Sequence, residues 1–180
     1  MSILKVARMG HPVLRAKART VDKSELKNPT IQQFIDSMID TMYEYSGVGL
    51  AAPQVHESLR VFVAMLDADG RGEGDAIAFV NPEITVVGDQ VVEGWEGCLS
   101  IPEIRGRVPR AQQIKVSALD RHGKRFELEL KDFPARVVQH ETDHLDGVLF
   151  FDRMRSFETL TYLEEYSRYH TSRSEDEDDE

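Results

Sequence analysis

Apolar residues at Ile31, Phe34, Ile35, Met38, Ile39 and Met42 recur every three or four positions, the spacing of one helix face. Asn28-Pro29 in front of them reads as a cap followed by proline at the first helical position. Gly47 is placed to end the run, so the pattern predicts a helix over residues 29–46. Beyond it the period changes to two. Residues 60–66 and 76–80 are short runs rich in Val, Phe and Ala, and 84–92 is β-branched and broken at Gly88-Asp89, a hairpin signal. Val116 and Ala118, then Phe126, Leu128 and Leu130, alternate with polar residues across the turn "DRHGK". That predicts an antiparallel pair of strands, 114–119 and 125–130. The stretch 67–75, "DADGRGEGD", carries glycine and acid without apolar period and reads as loop. A second helix is expected from near Pro134 to about Asp146, stopped by Gly147, and a third over 158–168 with Leu160, Leu163 and Tyr166 on one side. The expected class is α+β, with antiparallel strands packed around a central helix. Neither a repeat nor a linker interrupts residues 1–170, which are expected to form one catalytic domain, followed by a disordered acidic tail over 171–180.

Composition narrows the setting. Of 180 residues, 41% are hydrophobic and 30% charged, which suits one soluble domain with a real core. No stretch approaches the roughly 18 apolar residues of a membrane span, and the start "MSILKVARMG" has no leader pattern. The single cysteine, Cys98, rules out an internal disulfide and fits a reducing, cytoplasmic setting. The formal charge of −10 is concentrated in Glu175–Glu180, all acidic, and argues against direct nucleic-acid binding.

The chemistry is concentrated in "QHETDHLDG", residues 139–147. On a helix, His140 and His144 lie one turn apart on one face and can share a cation. Glu141 sits on an adjacent face, where it can reach a water on that cation without binding the ion. Two histidines do not complete a site. The position six residues after His144 is Phe150, which excludes a third histidine there. Glu164 and Glu165, twenty and twenty-one residues after His144 on an expected helix, would give a thermolysin-like endopeptidase. Cys98 in "WEGCLSIP" is the other candidate. A lone cysteine is usually a small buried hydrophobe, yet this one lies in a Gly-Cys turn beside the charged Glu96, which is not a core pattern.

Three separated motifs, "GVGLAAPQ" at 47–54, "EGCLS" at 96–100 and "QHETDHLDG", occur together and in order. In this the chain resembles the peptide deformylases, over most of residues 1–170. The resemblance implies that Cys98, His140 and His144 are the metal ligands and that Glu141 is the general base and later the acid. It implies iron(II) as the ion, with nickel, cobalt or zinc able to substitute. The implied reaction is removal of the formyl group from N-formylmethionyl peptides of nascent chains in a bacterial cytoplasm, with release of formate. The side-chain amide of Gln54 and the backbone N–H of Leu99 would bind the oxyanion. Val48, Phe133 and Val137 would line the methionine pocket, and Gly49 and the 105–107 segment would offer backbone edges to an extended peptide. Iron on a cysteine would make the enzyme oxygen-sensitive.

The chain also departs from the family pattern. Ser46 stands where relatives often carry an acid that helps grip substrate, although the usual basic partner, Arg105, is present. Trp95 stands where others have an acid. Some members use a C-terminal extension for transient contact with the ribosome; the acidic tail here is expected not to dock on RNA.

Overall fold

The computed structural model describes residues 2–66 and 75–171. The expected 67–75 loop, apart from Asp75, and the 171–180 tail, apart from Thr171, lie outside the described residues.

Helix α1 spans Pro29–Glu44. The Asn28 side chain accepts from the Thr30 N–H at 2.9 Å, and Pro29 takes the first helical position, as the sequence predicts. The face carrying Ile35, Met38 and Met42 is fully buried. The helix ends earlier than expected: the residue that turns into the left-handed region is Ser46, with φ 51°, not Gly47.

A five-stranded antiparallel sheet runs β1-β2-β3-β6-β7. Its strands are β1 Gly49–Ala51, β2 Val61–Ala64, β3 Ile77–Val86, β6 Gln113–Leu119 and β7 Arg125–Lys131. A three-stranded antiparallel sheet runs β4-β5-β8, with β4 Val91–Cys98, β5 Ile101–Ala111 and β8 Thr161–Tyr162. The β6–β7 hairpin matches the period-two reading, with Ile114, Val116 and Ala118 turned inward.

Two expectations change here. The runs 76–80 and 84–92 do not pair as separate strands. The break between them is a bulge within β3, where Asn81 has φ 50° and the register with β6 shifts between Val80 and Glu83. Gly88-Asp89 is a bend but not a hairpin: β3 pairs with β6 over 83–86, and the residues after the bend pair with β5. The chain therefore passes to the second sheet as β4.

Helix α2, Asp132–Leu145, begins two residues before Pro134. Proline is tolerated there because N–H groups of the first turn have no intrahelical acceptor. The helix ends as predicted, with Gly147 at φ 73° and the Val148 N–H returning to the Asp143 carbonyl at 2.9 Å. Its buried face packs on the large sheet beneath Phe62, Phe79 and Val116. Between 158 and 168 the expected long helix gives way to the short strand β8 and a helix α3 of only Leu163–Tyr169. No helix among the described residues is long and apolar enough to cross a membrane.

Candidate metal centre

Helix α2 holds His140 and His144 one turn apart, with ring centres separated by 4.9 Å at an interplanar angle of 82°. Strand β4 brings Cys98 up to them, its Sγ 3.2 Å from His144 Nε2. One ligand atom from each of the three residues lies within 4.8 Å of the others, and all three side chains are buried. Among the described residues this is the one cluster of metal-ligating type. Glu164 and Glu165 lie away from it on α3, both paired with Arg168. Cys98 does not lie in the turn itself, as the motif suggested. It closes β4, and the turn follows at Leu99 and Ser100.

One imidazole is oriented from behind. His140 Nδ1 lies 2.9 Å from Glu96 Oε2, which leaves Nε2 to face the cysteine side. Glu96 is itself buried and accepts two bonds from Arg110, at 2.9 and 3.0 Å, and one from Arg136 at 2.8 Å. Arg110 bridges onward to Asp143 at 2.5 Å, and Arg153 donates to the same carboxylate at 2.7 Å. The charge of Glu96, which on its own is not a core pattern, is thus buried by Arg110 and Arg136, two residues that no motif marks.

The charge states suit a cation site. Burial opposes ionisation of Cys98, but His144 and His140 beside the sulfur override it and hold the thiol well below its ordinary range. Burial likewise opposes a charge on Glu96, yet its bonds to His140 and Arg110 hold it below the usual carboxylate range. Burial pushes the Glu141 carboxyl up to about 7, against the pull of His140 and His144. The Glu141 Oε2 atom is buried with no hydrogen-bond partner among the described residues, as is expected of a group whose partner arrives with an ion and its water. A thiolate, two imidazoles and an unshared carboxylate are a donor set that fits a divalent transition metal.

Glu141 is also cradled. A Cβ built on Gly49 of β1 would lie 2.5 Å from Glu141 Oε1, so only glycine lets that strand pass the carboxylate. Gln54 is not the surface amide its residue type suggests, being 2% exposed. Its Oε1 accepts from the Ala51 N–H at 2.8 Å, and its Nε2 points at Cys98 Sγ, 3.3 Å away. Leu99 follows Cys98 directly, its side chain against Gly47.

These groups open into one cavity of about 590 Å³. Val48, Phe133 and Val137 line it, as do Gly49 and Arg105. Trp95 and Leu163 line it too. Trp95 is clasped edge-on by Tyr166 and tilted against His170, each 5.0 Å away between ring centres. One edge strand of each sheet, β1 and β4, borders the cavity. The 105–107 edge does not fill the expected role: β4 and β8 flank β5 there, and the Arg107 N–H is donated to Thr159 Oγ1.

The family sequence model described as Polypeptide deformylase matches residues 3–159. "Peptide deformylase 2" of Nostoc sp. is 45% identical over 168 residues, covering 91% of this chain and 93% of that protein. A peptide deformylase structure from Thermotoga maritima superposes with a TM-score of 0.79 at 40% identity, covering 87% of this chain and all of that one. The Met-Ala-Ser-bound class I type b peptide deformylase of Acinetobacter baumannii superposes at 0.78 with 41% identity, covering 86% and 100%.

Proposed function

The chain belongs to the polypeptide deformylase family, and from that premise we propose that Cys98, His140 and His144 hold the catalytic ion, with Glu141 as proton carrier. The family removes the formyl group from the N-terminus of new polypeptides and depends on a metal. The observation that carries the residue assignment is the meeting of Cys98, His140 and His144 beside one unshared buried carboxylate and one buried amide, with all but His144 lining a single cavity.

A divalent ion held by this set supplies a Lewis acid that makes water more acidic and a carbonyl more electrophilic. The remaining work is done by the protein's own groups. Glu141 accepts the proton of the attacking water as its oxygen bonds to the formyl carbon. The oxygen that gains charge lies against donors, the Gln54 Nε2–H and the Leu99 N–H. The C–N bond then breaks, Glu141 returns its proton to the amine, and formate leaves. The methionine side chain enters the apolar part of the cavity at Val48, Phe133 and Val137. The peptide backbone lies between the open edges at Gly49 and Gly97, with Arg105 beside it. A tripeptide beginning with methionine is the ligand of the Acinetobacter baumannii relative, which supports this placement.

The ion is iron(II) in this reading, with nickel, cobalt or zinc able to take its place at a soft, mixed sulfur–nitrogen site. Residues 1–170 act as one catalytic domain in the cytoplasm, on nascent chains, in passing contact with the ribosome. Formate release from formyl-Met-Ala-Ser, together with bound metal, tests the reading. Cys98→Ala should lose metal, Glu164→Ala should keep it, and Glu141→Ala should keep metal but lose turnover. Metal retained by Cys98→Ala would overturn the assignment.

A further inference from the structure

The cavity mouth carries a charge sign opposite to that of the whole chain. Four cations line the cavity, Lys5, Arg8, Arg105 and Arg136, and three anions, Glu96, Glu103 and Glu141. Arg136 and Glu96 are bonded to each other, and Glu141 faces the ligand cluster. What remains at the rim is Lys5, Arg8 and Arg105 against Glu103. Among the described residues none of these three cations has an acidic partner: Arg105 donates to the Ile104 carbonyl at 3.2 Å, and the side chains of Lys5 and Arg8 make no hydrogen bond. This stands in a chain whose formal charge is −10.

The rim is held in place by the fold. The N-terminal segment is tied at three points: the Leu4 N–H to Thr41 Oγ1 at 2.9 Å, Ala7 to the Gln54 carbonyl at 2.7 Å, and Met9 to the Ser100 carbonyl at 2.8 Å. Between those ties Val6 and Ala7 are buried, so Lys5 and Arg8 on either side are turned outward. Two of the ties end on Gln54 and Ser100, the residues packed at the cysteine. Arg105 is fixed differently. A Cβ on Gly97, its partner across β4–β5, would fall 1.8 Å from Arg105 Nη1, so the guanidinium lies flat over that glycine, one residue from Cys98. Ser46, also at the mouth, supplies no compensating charge.

We infer that this rim is a specificity site for an acidic side chain, Asp or Glu, within the first few residues after the substrate methionine, with Lys5 and Arg8 as its determinants. The inference rests on the deformylase reading above. The formylated N-terminus carries no charge, so the peptide's net sign near the mouth comes from those side chains. Each exposed pair is weak by itself, but three like charges around one concave opening reinforce one another and raise the local concentration of an acidic peptide.

The test uses C-terminally amidated peptides, so that no terminal carboxylate mimics the effect. Formyl-Met-Ala-Xaa-Ala-amide and formyl-Met-Ala-Ala-Xaa-amide are compared with Xaa as Glu, Gln or Lys on the metal-loaded full chain. The expected kcat/KM for Glu exceeds that for Lys by about tenfold in at least one series near 50 mM salt, and the ratio shrinks toward one near 500 mM as screening shortens. In Lys5→Gln/Arg8→Gln the Glu-to-Lys ratio should fall below about twofold; because it is a ratio within one preparation, it does not depend on the variant's total activity. Equal rates for all three peptides, a preference for Lys, or a ratio unchanged in the double variant would overturn the inference. Failure to release formate from any peptide would instead count against the deformylase reading.

Discussion

Arg110→Met tests the buried charge network behind the Cys98, His140 and His144 cluster. Arg110 is 5% exposed and joins two elements, giving two bonds to Glu96 on β4 and one to Asp143 on α2. Methionine keeps the length and removes the charge. Breaking a buried ion pair by deleting one partner costs about 3–5 kcal/mol, since the other charge stays buried. The lower end applies here because neither carboxylate is left alone: Glu96 keeps Arg136 and His140, and Asp143 keeps the half-exposed Arg153. For a chain of this size roughly 3 kcal/mol corresponds to a fall of about 6–12 °C in Tm. Thermal unfolding followed by circular dichroism near neutral pH, with metal concentration held fixed, reads it directly. The pH dependence gives a second check. Glu96 has a folded pKa below its unfolded one, so its stabilising contribution is present above the unfolded value of about 4.3 and is lost as pH falls below it. The gap between wild type and Arg110→Met should therefore narrow at acid pH. Adding Asp143→Asn to Arg110→Met should cost less than the two single changes together, because each single change already breaks the Arg110–Asp143 bond. A Tm drop under about 2 °C, or additive single effects, would show that water already screens the network and would refute the reasoning.

Gly49→Ala puts a methyl 2.5 Å from Glu141 Oε1; a displacement of about 1 Å at a reacting group costs on the order of 10²-fold in rate, so kcat should collapse while bound metal stays near wild type and Tm falls by a few degrees, as overpacking by one methyl costs about 1 kcal/mol or more. Gln54→Ala should lower kcat by about 10²–10³ if the amide stabilises the transition state, with a smaller change in KM; equal losses in binding of the deformylated product would contradict that role. Burial raises Glu141 to about 7 in the protein alone, and it must be ionised to accept a proton. Activity should accordingly rise with pH through a limb at or below about 7, since a bound cation adds its own downward pull; a limb above 7 would remove Glu141 from the role.

Much of the scaffold was legible because its signals are local. Asn28-Pro29 and the apolar face of α1, the alternation in β6 and β7, and the His140/His144 spacing each live within a dozen residues. Where local signals failed, the missing information was pairing. Nothing near Gly88-Asp89 shows that the residues beyond it pair with β5 in the other sheet. Strand β5, "IPEIRGRVPRA", with its prolines and arginines, gives no strand pattern, because Arg110 faces a buried ion network and Arg105 a cavity, while Glu103 and Arg107 are exposed. The site follows the same rule. Cys98 reaches His144 across 46 positions, and Glu96 reaches His140 across 44. A pattern of apolar and polar letters reads every charge as solvated, so Glu96 beside the cysteine looked like evidence for an exposed turn. Its burial depends on Arg110 and Arg136 arriving from β5 and α2 with matching charge. The family motif "EGCLS" therefore sets two groups side by side: the sulfur that would meet the ion in the proposed assignment, and two positions earlier a carboxylate bonded to His140 Nδ1, which leaves the other imidazole nitrogen toward the sulfur.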